Sequence, residues 1–261
     1  MGVIVADGDG APIEEGDARV VIVTGALGGM GRAISEALQA GGWTIAGLDL
    51  PDAVASRADH GFPGLLLGAD ITSTGDLESS FDEVTRLAAT PTALVNCAGV
   101  GAADPLVHMS LDRVRKVIEV NLIAAIAAMS LFARHWIAGE SRRPDNVTGA
   151  IVNISSLAAY GSNPGQSAYV SSKAGLVGAT RVAANELGPL GVRVNAILPS
   201  FASTPLTAAT TDDVRANYLS RTPLGRFPDL HEVAATVAWL LSPDASYVSG
   251  AELRVTGGRL F

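Results

Sequence analysis

The chain has 261 residues, 26 acidic and 18 basic, for a formal charge of −8, with a single cysteine. One cysteine excludes an intrachain disulfide framework and a cysteine-rich zinc site. The acidic balance opposes a general nucleic-acid binder, which needs clustered Lys and Arg against phosphates. With 48% hydrophobic residues the chain has ample material for a core,.

Residues 1–18 are acidic and aperiodic and are expected to form a flexible leader,. They lack the basic and apolar regions of a secretory signal. The most apolar long segment, Val120–Ala133, contains Asn121 and Ser130 and reads as too short to span a bilayer,. A cytoplasmic protein with no membrane or nucleic-acid partner is expected.

From Arg19 onward short apolar runs alternate with helical patterns. Strands are expected at Val20–Thr24, Trp43–Leu48, Gly64–Gly68, Ala93–Asn96, Ala150–Ile154, Val192–Ile197 and Glu252–Val255. Helices are expected at Gly29–Ala40, Ser73–Ala88, Ser110–Trp136, Ser167–Leu187 and Leu230–Leu241. The strands are unalternated Val/Ile/Leu/Ala runs, as in strands covered on both faces. This alternation predicts an α/β fold with one doubly wound parallel sheet of about seven strands over residues 19–261. Gly139–Gly149 reads as an exposed loop. The Pro- and Thr-rich stretch at about 200–226 follows a strand, where an α/β protein places a substrate lid.

The segment Thr24-Gly-Ala-Leu-Gly-Gly-Met-Gly31 follows the first strand and opens the first helix. Gly25 suits the tight turn, Gly29 a close approach of backbone to a pyrophosphate, and Gly31 close packing of helix on sheet. The helix N-terminus then offers free N–H groups to phosphates. Asp49 ends the second strand, where an acid accepts hydrogen bonds from the adenosine ribose hydroxyls. A carboxylate there repels a 2′-phosphate, and Leu27, Leu50 and Pro51 supply no cation, so NAD is expected rather than NADP.

Tyr169-Val-Ser-Ser-Lys173 sets a phenol and an ammonium four residues apart on one helix face,. The cation is expected to favour phenolate and lower the Tyr169 pKa. The chain holds only four tyrosines and two lysines, so the spacing seldom arises by chance,. Ser156 lies thirteen residues before Tyr169, at the end of a strand.

On these residues the chain resembles the short-chain dehydrogenase/reductase family from about Arg19 to Gly258. The resemblance implies a Rossmann-type domain, a nicotinamide cofactor and a catalytic set of Asn121, Ser156, Tyr169 and Lys173. It implies cofactor contacts at Gly25, Leu27, Gly29, Met30, Gly31, Asp49, Leu50, Asp70, Ile71, Asn96, Ala98, Gly99, Tyr169, Lys173, Pro199, Ala202 and Thr204, and no metal. In the implied mechanism Tyr169 is general acid/base, Ser156 hydrogen-bonds the substrate oxygen, and Lys173 holds the nicotinamide ribose. Asn121 positions a water linking Lys173 to solvent. Ser155 is expected to face the core. Three positions depart from the family pattern: Cys97 within Asn96-Cys-Ala-Gly99, Ser200 after Pro199, and Thr256 before the last glycine pair.

The expected reaction is hydride exchange between a secondary alcohol and a ketone. Candidate pocket residues are Gly101, Ala102, Ala158, Tyr160, Asn163, Pro164, Gln166, Ser200, Phe201 and the Ser203–Thr222 lid. They are small or mildly apolar, suiting a neutral substrate of moderate size. A 3-oxoacyl-carrier-protein reductase is disfavoured by Asp49 and by the arginine-free stretch Asn185–Leu190. A non-catalytic NAD sensor is disfavoured by the intact catalytic positions. His60, His108, His135 and His231 show no ligand spacing. Trp43 and Trp239 are expected in or beside the core, and Trp136 at an interface. The helices containing Val117–Ala133 and Tyr169 are apolar on more than one face. They are expected to build a homodimer or homotetramer.

Overall fold

A computed structural model describes residues 4–5, 19–57, 61–101, 103–139, 148–161, 163–202 and 210–260. Its strands are β1 (Ile4–Val5), β2 (Val20–Thr24), β3 (Thr44–Asp49), β4 (Leu65–Gly68), β5 (Ala93–Asn96), β6 (Gly149–Ile154), β7 (Val192–Pro199) and β8 (Glu252–Val255). They form one sheet in the order β1-β4-β3-β2-β5-β6-β7-β8. Strands β2 to β8 run parallel, giving the seven expected. An eighth, β1, pairs antiparallel with β4 through Ile4↔Leu67 and Val5↔Leu66. Two residues carry no periodicity, so nothing in the leader announced this strand.

The helices are α1 (Gly29–Ala40), α2 (Pro51–Arg57), α3 (Thr74–Leu87), α4 (Leu111–Ile118), α5 (Ala124–Ala138), α6 (Ser167–Leu187), α7 (Asp212–Ser220) and α8 (Leu230–Leu241). Ser73 and Ser110, expected as first helical residues, are instead N-caps that accept from the backbone N–H of Asp76 and Arg113,. Helices α2 and α7 were not expected. The first spans seven residues, and the second spreads its few apolar residues around the axis with none buried, so neither leaves an amphipathic signature,.

Successive strand residues point to opposite faces, and each face has its own core. Val21, Val23, Ile45 and Val95 pack with Ile34 and Leu38 of α1 and Val233, Val237 and Leu240 of α8. Val20, Ile22, Leu48, Leu94 and Ile151 pack with Leu77, Phe81 and Val84 of α3 and Phe132 and Trp136 of α5. Trp136 is fully interior, with Nε1 donating to Leu190 O at 2.9 Å. It is therefore not the interface residue expected from its place at a helix end. Trp239 is 40% exposed and Trp43 packs against the core under Arg19.

Helices α4 and α5 are joined by a π-helical turn, Glu119–Ile123, into one run from Leu111 to Ala138. The run has 28 residues, and its most apolar part reaches a mean hydropathy of 1.8, enough by length and composition alone for a membrane-crossing helix. Here its apolar side covers the sheet instead.

The strand order reverses at β2, which pairs with β3 on one side and β5 on the other. The carboxyl ends of the strands at such a switch point are where open α/β sheets bind ligands.

Candidate active site

The glycine turn sits at that switch point. Gly25 adopts φ +65°, and a β-carbon on it would fall 2.7 Å from Ala98 Cα. A β-carbon on Gly31 would fall 2.1 Å from Gly25 O. Helix α1 therefore begins against the turn with no room for a side chain. Its N-cap is Gly28, without side-chain capping, and its first turn holds no acid. The uncapped amides and helix dipole suit a phosphate group.

Asp49 closes the next strand, its Oδ2 accepting from Leu27 N and its Oδ1 from Leu50 N, both at 2.8 Å. Two backbone amides thus aim the carboxylate across the turn, leaving acceptor capacity for hydroxyl groups. Asp70 lies on the same edge just beyond β4, its Oδ1 accepting from Thr72 N and Oγ1. Thr24 Oγ1 accepts from Cys97 N and Ala98 N, tying the ends of β2 and β5 together.

Asn96, expected among the cofactor contacts, turns its side chain inward. It is 4% exposed, with Nδ2 donating to Asn153 Oδ1 at 2.8 Å and to Ala125 O at 3.3 Å. Asn153 in turn donates to Thr180 Oγ1 at 2.9 Å, so the chain of amides braces β5, β6 and α6. The asparagine motif alone could not show which way the side chain points.

The catalytic candidates converge at the ends of β5 and β6. Asn121 sits in the π turn, a distortion frequent at functional sites,. Its Oδ1 accepts from Val100 N at 2.8 Å, and its Nδ2 donates to Val100 O at 2.9 Å and Ser172 Oγ at 3.0 Å. The side chain is thereby fully engaged in holding the strand-end loop. Lys173 is 4% exposed, with Nζ donating to Ile154 O at 2.8 Å. A β-carbon on Gly99 would stand 3.3 Å from Asn121 Oδ1 and 3.4 Å from Lys173 Nζ, so glycine keeps both polar groups open at this point.

Ser155 and Ser156 separate as expected. Ser155 is buried, its Oγ donating to Lys173 O at 2.9 Å. Ser156 caps the short helical turn Leu157–Tyr160, accepts from Ala158 N at 3.1 Å, and acts to lower the pKa of the Tyr169 phenol.

The electrostatics differ from the sequence expectation. Burial raises the Tyr169 pKa, Ser156 opposes the rise, and the neighbouring Tyr218 adds to it. Lys173 contributes nothing appreciable. Its ammonium stands 5.9 Å from the Tyr169 ring centroid, and its own pKa is lowered to about 8 by burial, with Cys97 opposing. Removing an ammonium from water disfavours its charge, so Lys173 is a weaker cation than the motif suggests. The Cys97 thiol is pushed up to about 12 by burial, with Lys173 opposing and Asp49 adding. Such a thiol has little thiolate and behaves as a small packing residue.

The expected pocket divides. Asn163 Nδ2 donates to Gln166 Oε1 at 3.1 Å and to Tyr218 OH of α7 at 3.2 Å. Phe201 meets Tyr218 and Phe227 with ring centroids 5.0 and 4.9 Å apart. Tyr160 instead leaves the pocket: its hydroxyl donates to Glu252 Oε2, and its ring lies 5.0 Å from the Arg254 guanidinium. Ser200 N donates to Val255 O, following Pro199 off the end of β7, and Ala202 is buried. Thr204, Ala102 and the lid residues 203–209 lie outside the described residues. Sequence reasoning held Tyr218 only as one residue of the Ser203–Thr222 lid and missed Arg259, whose guanidinium the tertiary fold sets over the Tyr218 ring.

A glycine cradle at the switch point, an aimed carboxylate and a Ser-Tyr-Lys cluster beyond it define a nicotinamide-dinucleotide-dependent oxidoreductase of Rossmann type. Comparison with known proteins gives the family. A model for the family described as enoyl-(acyl carrier protein) reductase matches residues 25–259. The (3R)-3-hydroxyacyl-CoA dehydrogenase of Mus musculus is 36% identical over 252 residues, covering 92% of this chain and 95% of that one. The 3-oxoacyl-[acyl-carrier-protein] reductase of Vibrio harveyi is 32% identical, covering 93% and 97%. A solved structure, 4-hydroxyisoleucine dehydrogenase complexed with NADH, superposes with a TM-score of 0.82 at 26% identity, covering 92% of this chain and 98% of that one. The chain belongs to the short-chain dehydrogenase/reductase family and interconverts a secondary alcohol and a ketone.

Proposed function

We propose that residues 19–261 form a single catalytic domain that oxidises a secondary alcohol, or reduces the ketone, with NAD in preference to NADP. The observation that carries this reading is the meeting of Asn121 and Lys173 at Gly99, with the Lys173 ammonium 5.9 Å from the Tyr169 ring and Ser156 acting on the Tyr169 phenol. The fit to a dinucleotide rests on the space-filling contacts at Gly25 and Gly31 and on the uncapped start of α1. Gly25, Leu27, Gly29, Met30 and Gly31 would hold the pyrophosphate. Asp49 and Leu50 would hold the adenosine ribose, Asp70 and Ile71 the adenine, and Ala98, Gly99, Pro199, Ala202 and Thr204 the nicotinamide half. The bound dinucleotide supplies the hydride acceptor or donor.

Tyr169 takes the proton from the alcohol, or returns it to the ketone oxygen. Ser156 donates to the same oxygen and stabilises its developing charge. Lys173, fixed by Ile154 O, would hold the nicotinamide ribose. Asn121 fixes the loop at Val100 on which these groups depend. Asp49 supports NAD because its carboxylate, already aimed by two amides, opposes a 2′-phosphate.

Homo-oligomer formation through α5 and α6 is part of the reading. Ile123, Ile126 and Val182 stand 46%, 44% and 57% exposed on that side,. A cytoplasmic location and the absence of membrane or nucleic-acid partners are proposed on the acidic composition. The test is absorbance at 340 nm with NAD or NADP over a panel of secondary alcohols and 3-hydroxyacyl thioesters, with Tyr169→Phe as control. NAD-dependent signal lost in Tyr169→Phe, with NAD binding retained, is expected. Equal efficiency with NADP would refute the cofactor choice, and activity surviving in Tyr169→Phe would refute the acid/base role. A second reading, a 3-oxoacyl-carrier-protein reductase, is favoured by the 32% identity to such a relative. Efficient NADPH-dependent reduction of a carrier-protein thioester would establish it.

A further inference from the structure

Against Asn163 and Phe201, both among the expected pocket residues, lies a polar group that the reaction does not use. Tyr218 projects from α7, half-buried, close enough to Tyr169 to raise its pKa. Its oxygen accepts from Asn163 Nδ2 at 3.2 Å, and Asn163 is anchored on Gln166, the N-cap of the helix that carries Tyr169. The Tyr218 O–H proton is given to no acceptor among the described residues. The ring is held between Phe201, 5.0 Å away, and the Arg259 guanidinium, 4.0 Å from the ring centroid.

Arg259 is the second unusual group. It is 5% exposed, and its Nε and Nη1 have no hydrogen-bond partner. No carboxylate pairs with it among the described residues. Burial lowers its pKa, Tyr218 opposes that drop, and the like charge of Arg221 adds to it. A buried cation without a counter-ion is costly, and structural cations normally avoid that cost by pairing. Arg193 shows the usual solution in this same chain, with its guanidinium on the carbonyls of Leu240, Ser242 and Val248. Arg259 has no carbonyl or carboxylate partner among the described residues, and only Tyr218, beneath its guanidinium, offsets its burial.

We propose that Tyr218 and Arg259 form a second recognition point for the substrate, resting on the alcohol dehydrogenase reading above. Tyr218 donates a hydrogen bond to an acyl oxygen carried near the reacting carbon, and the charge of Arg259, paired with no carboxylate among the described residues, favours that acyl group as a free carboxylate. The substrate is then a hydroxy or oxo acid rather than the neutral alcohol that the small, apolar pocket residues suggest.

Three probes separate the possibilities: 3-hydroxybutyrate, its N-acetylcysteamine thioester, and butan-2-ol, each followed by NADH formation. In Tyr218→Phe, KM is expected to rise roughly tenfold or more for both acyl compounds and to stay within about twofold for butan-2-ol, with kcat little changed. In Arg259→Met the rise is confined to 3-hydroxybutyrate, and Arg259→Lys restores part of it. Equal effects of Arg259→Met on both acyl compounds would overturn the carboxylate preference. A uniform change across all three probes, or none, in Tyr218→Phe would overturn the recognition point and leave Tyr218 as a packing residue. Calorimetric binding of 3-hydroxybutyrate to Tyr169→Phe with NAD needs no turnover. If the native chain oxidises none of the probes but binding still depends on Tyr218, the chemistry fails and the recognition point stands.

Discussion

Lys173 gives the sharpest test of the site's electrostatics, because burial sets its charge at the expense of the fold. The amine is held at about 8 in the native chain against 10.5 in water. That difference is worth roughly 3 kcal/mol. Below pH 8 both native and unfolded states carry the proton, and the native state bears the full cost of burying it. Between pH 8 and 10.5 the unfolded state binds more protons, so native stability rises with pH. Lys173→Met removes this dependence and also the bond to Ile154 O, worth about 1 kcal/mol,. The variant without cofactor is therefore expected to be more stable than the native chain by roughly 2 kcal/mol at pH 7. The gap should close and then invert by pH 10, while turnover is lost at every pH. Urea unfolding at pH 7, 8, 9 and 10, at one fixed protein concentration, reads the difference directly. A constant offset between the two proteins across that range would show that the ammonium is not desolvated as the structure has it.

Three further outcomes follow from contacts described above. Gly31→Ala drives a β-carbon to 2.1 Å from Gly25 O, so it should cost about 3 kcal/mol or more and abolish dinucleotide binding,; retention of NAD affinity by fluorescence titration would contradict the cradle. Asp49→Ser removes the carboxylate bonded to Leu27 N and Leu50 N, so kcat/KM with NAD should fall about tenfold or more while the NADP to NAD ratio rises,. An unchanged ratio would mean that another group sets the preference. Phe132→Ala opens a cavity between α5 and the sheet and should cost about 3–5 kcal/mol in a denaturant melt, without changing kcat in the protein that remains folded,.

The parallel sheet was legible in the sequence because a strand covered on both faces must be apolar at every position, which Val20–Val23 and Ile151–Val152 are,. The glycine turn was legible because steric crowding at Gly25 and Gly31 leaves no alternative residue. Tyr169 and Lys173 were legible because four residues along a helix return to one face. Their charges were not. Burial is a property of everything packed around a group, and it reversed the expected direction at Tyr169.

Local patterns also said nothing of β1 or α7, one too short and the other with its apolar residues too evenly spread to show a period. The sequence by itself determined the order of elements, the phosphate turn and the identity of the reacting side chains, since each rests on chemistry within a few neighbouring residues. Tertiary structure alone decided that Asn96 braces the interior, that Asn121 is engaged by Val100, and that Tyr160 faces Glu252. It alone set Arg259 over Tyr218, forty-one residues away in the chain, because only the folded sheet returns the segment after β8 to the helix above the pocket.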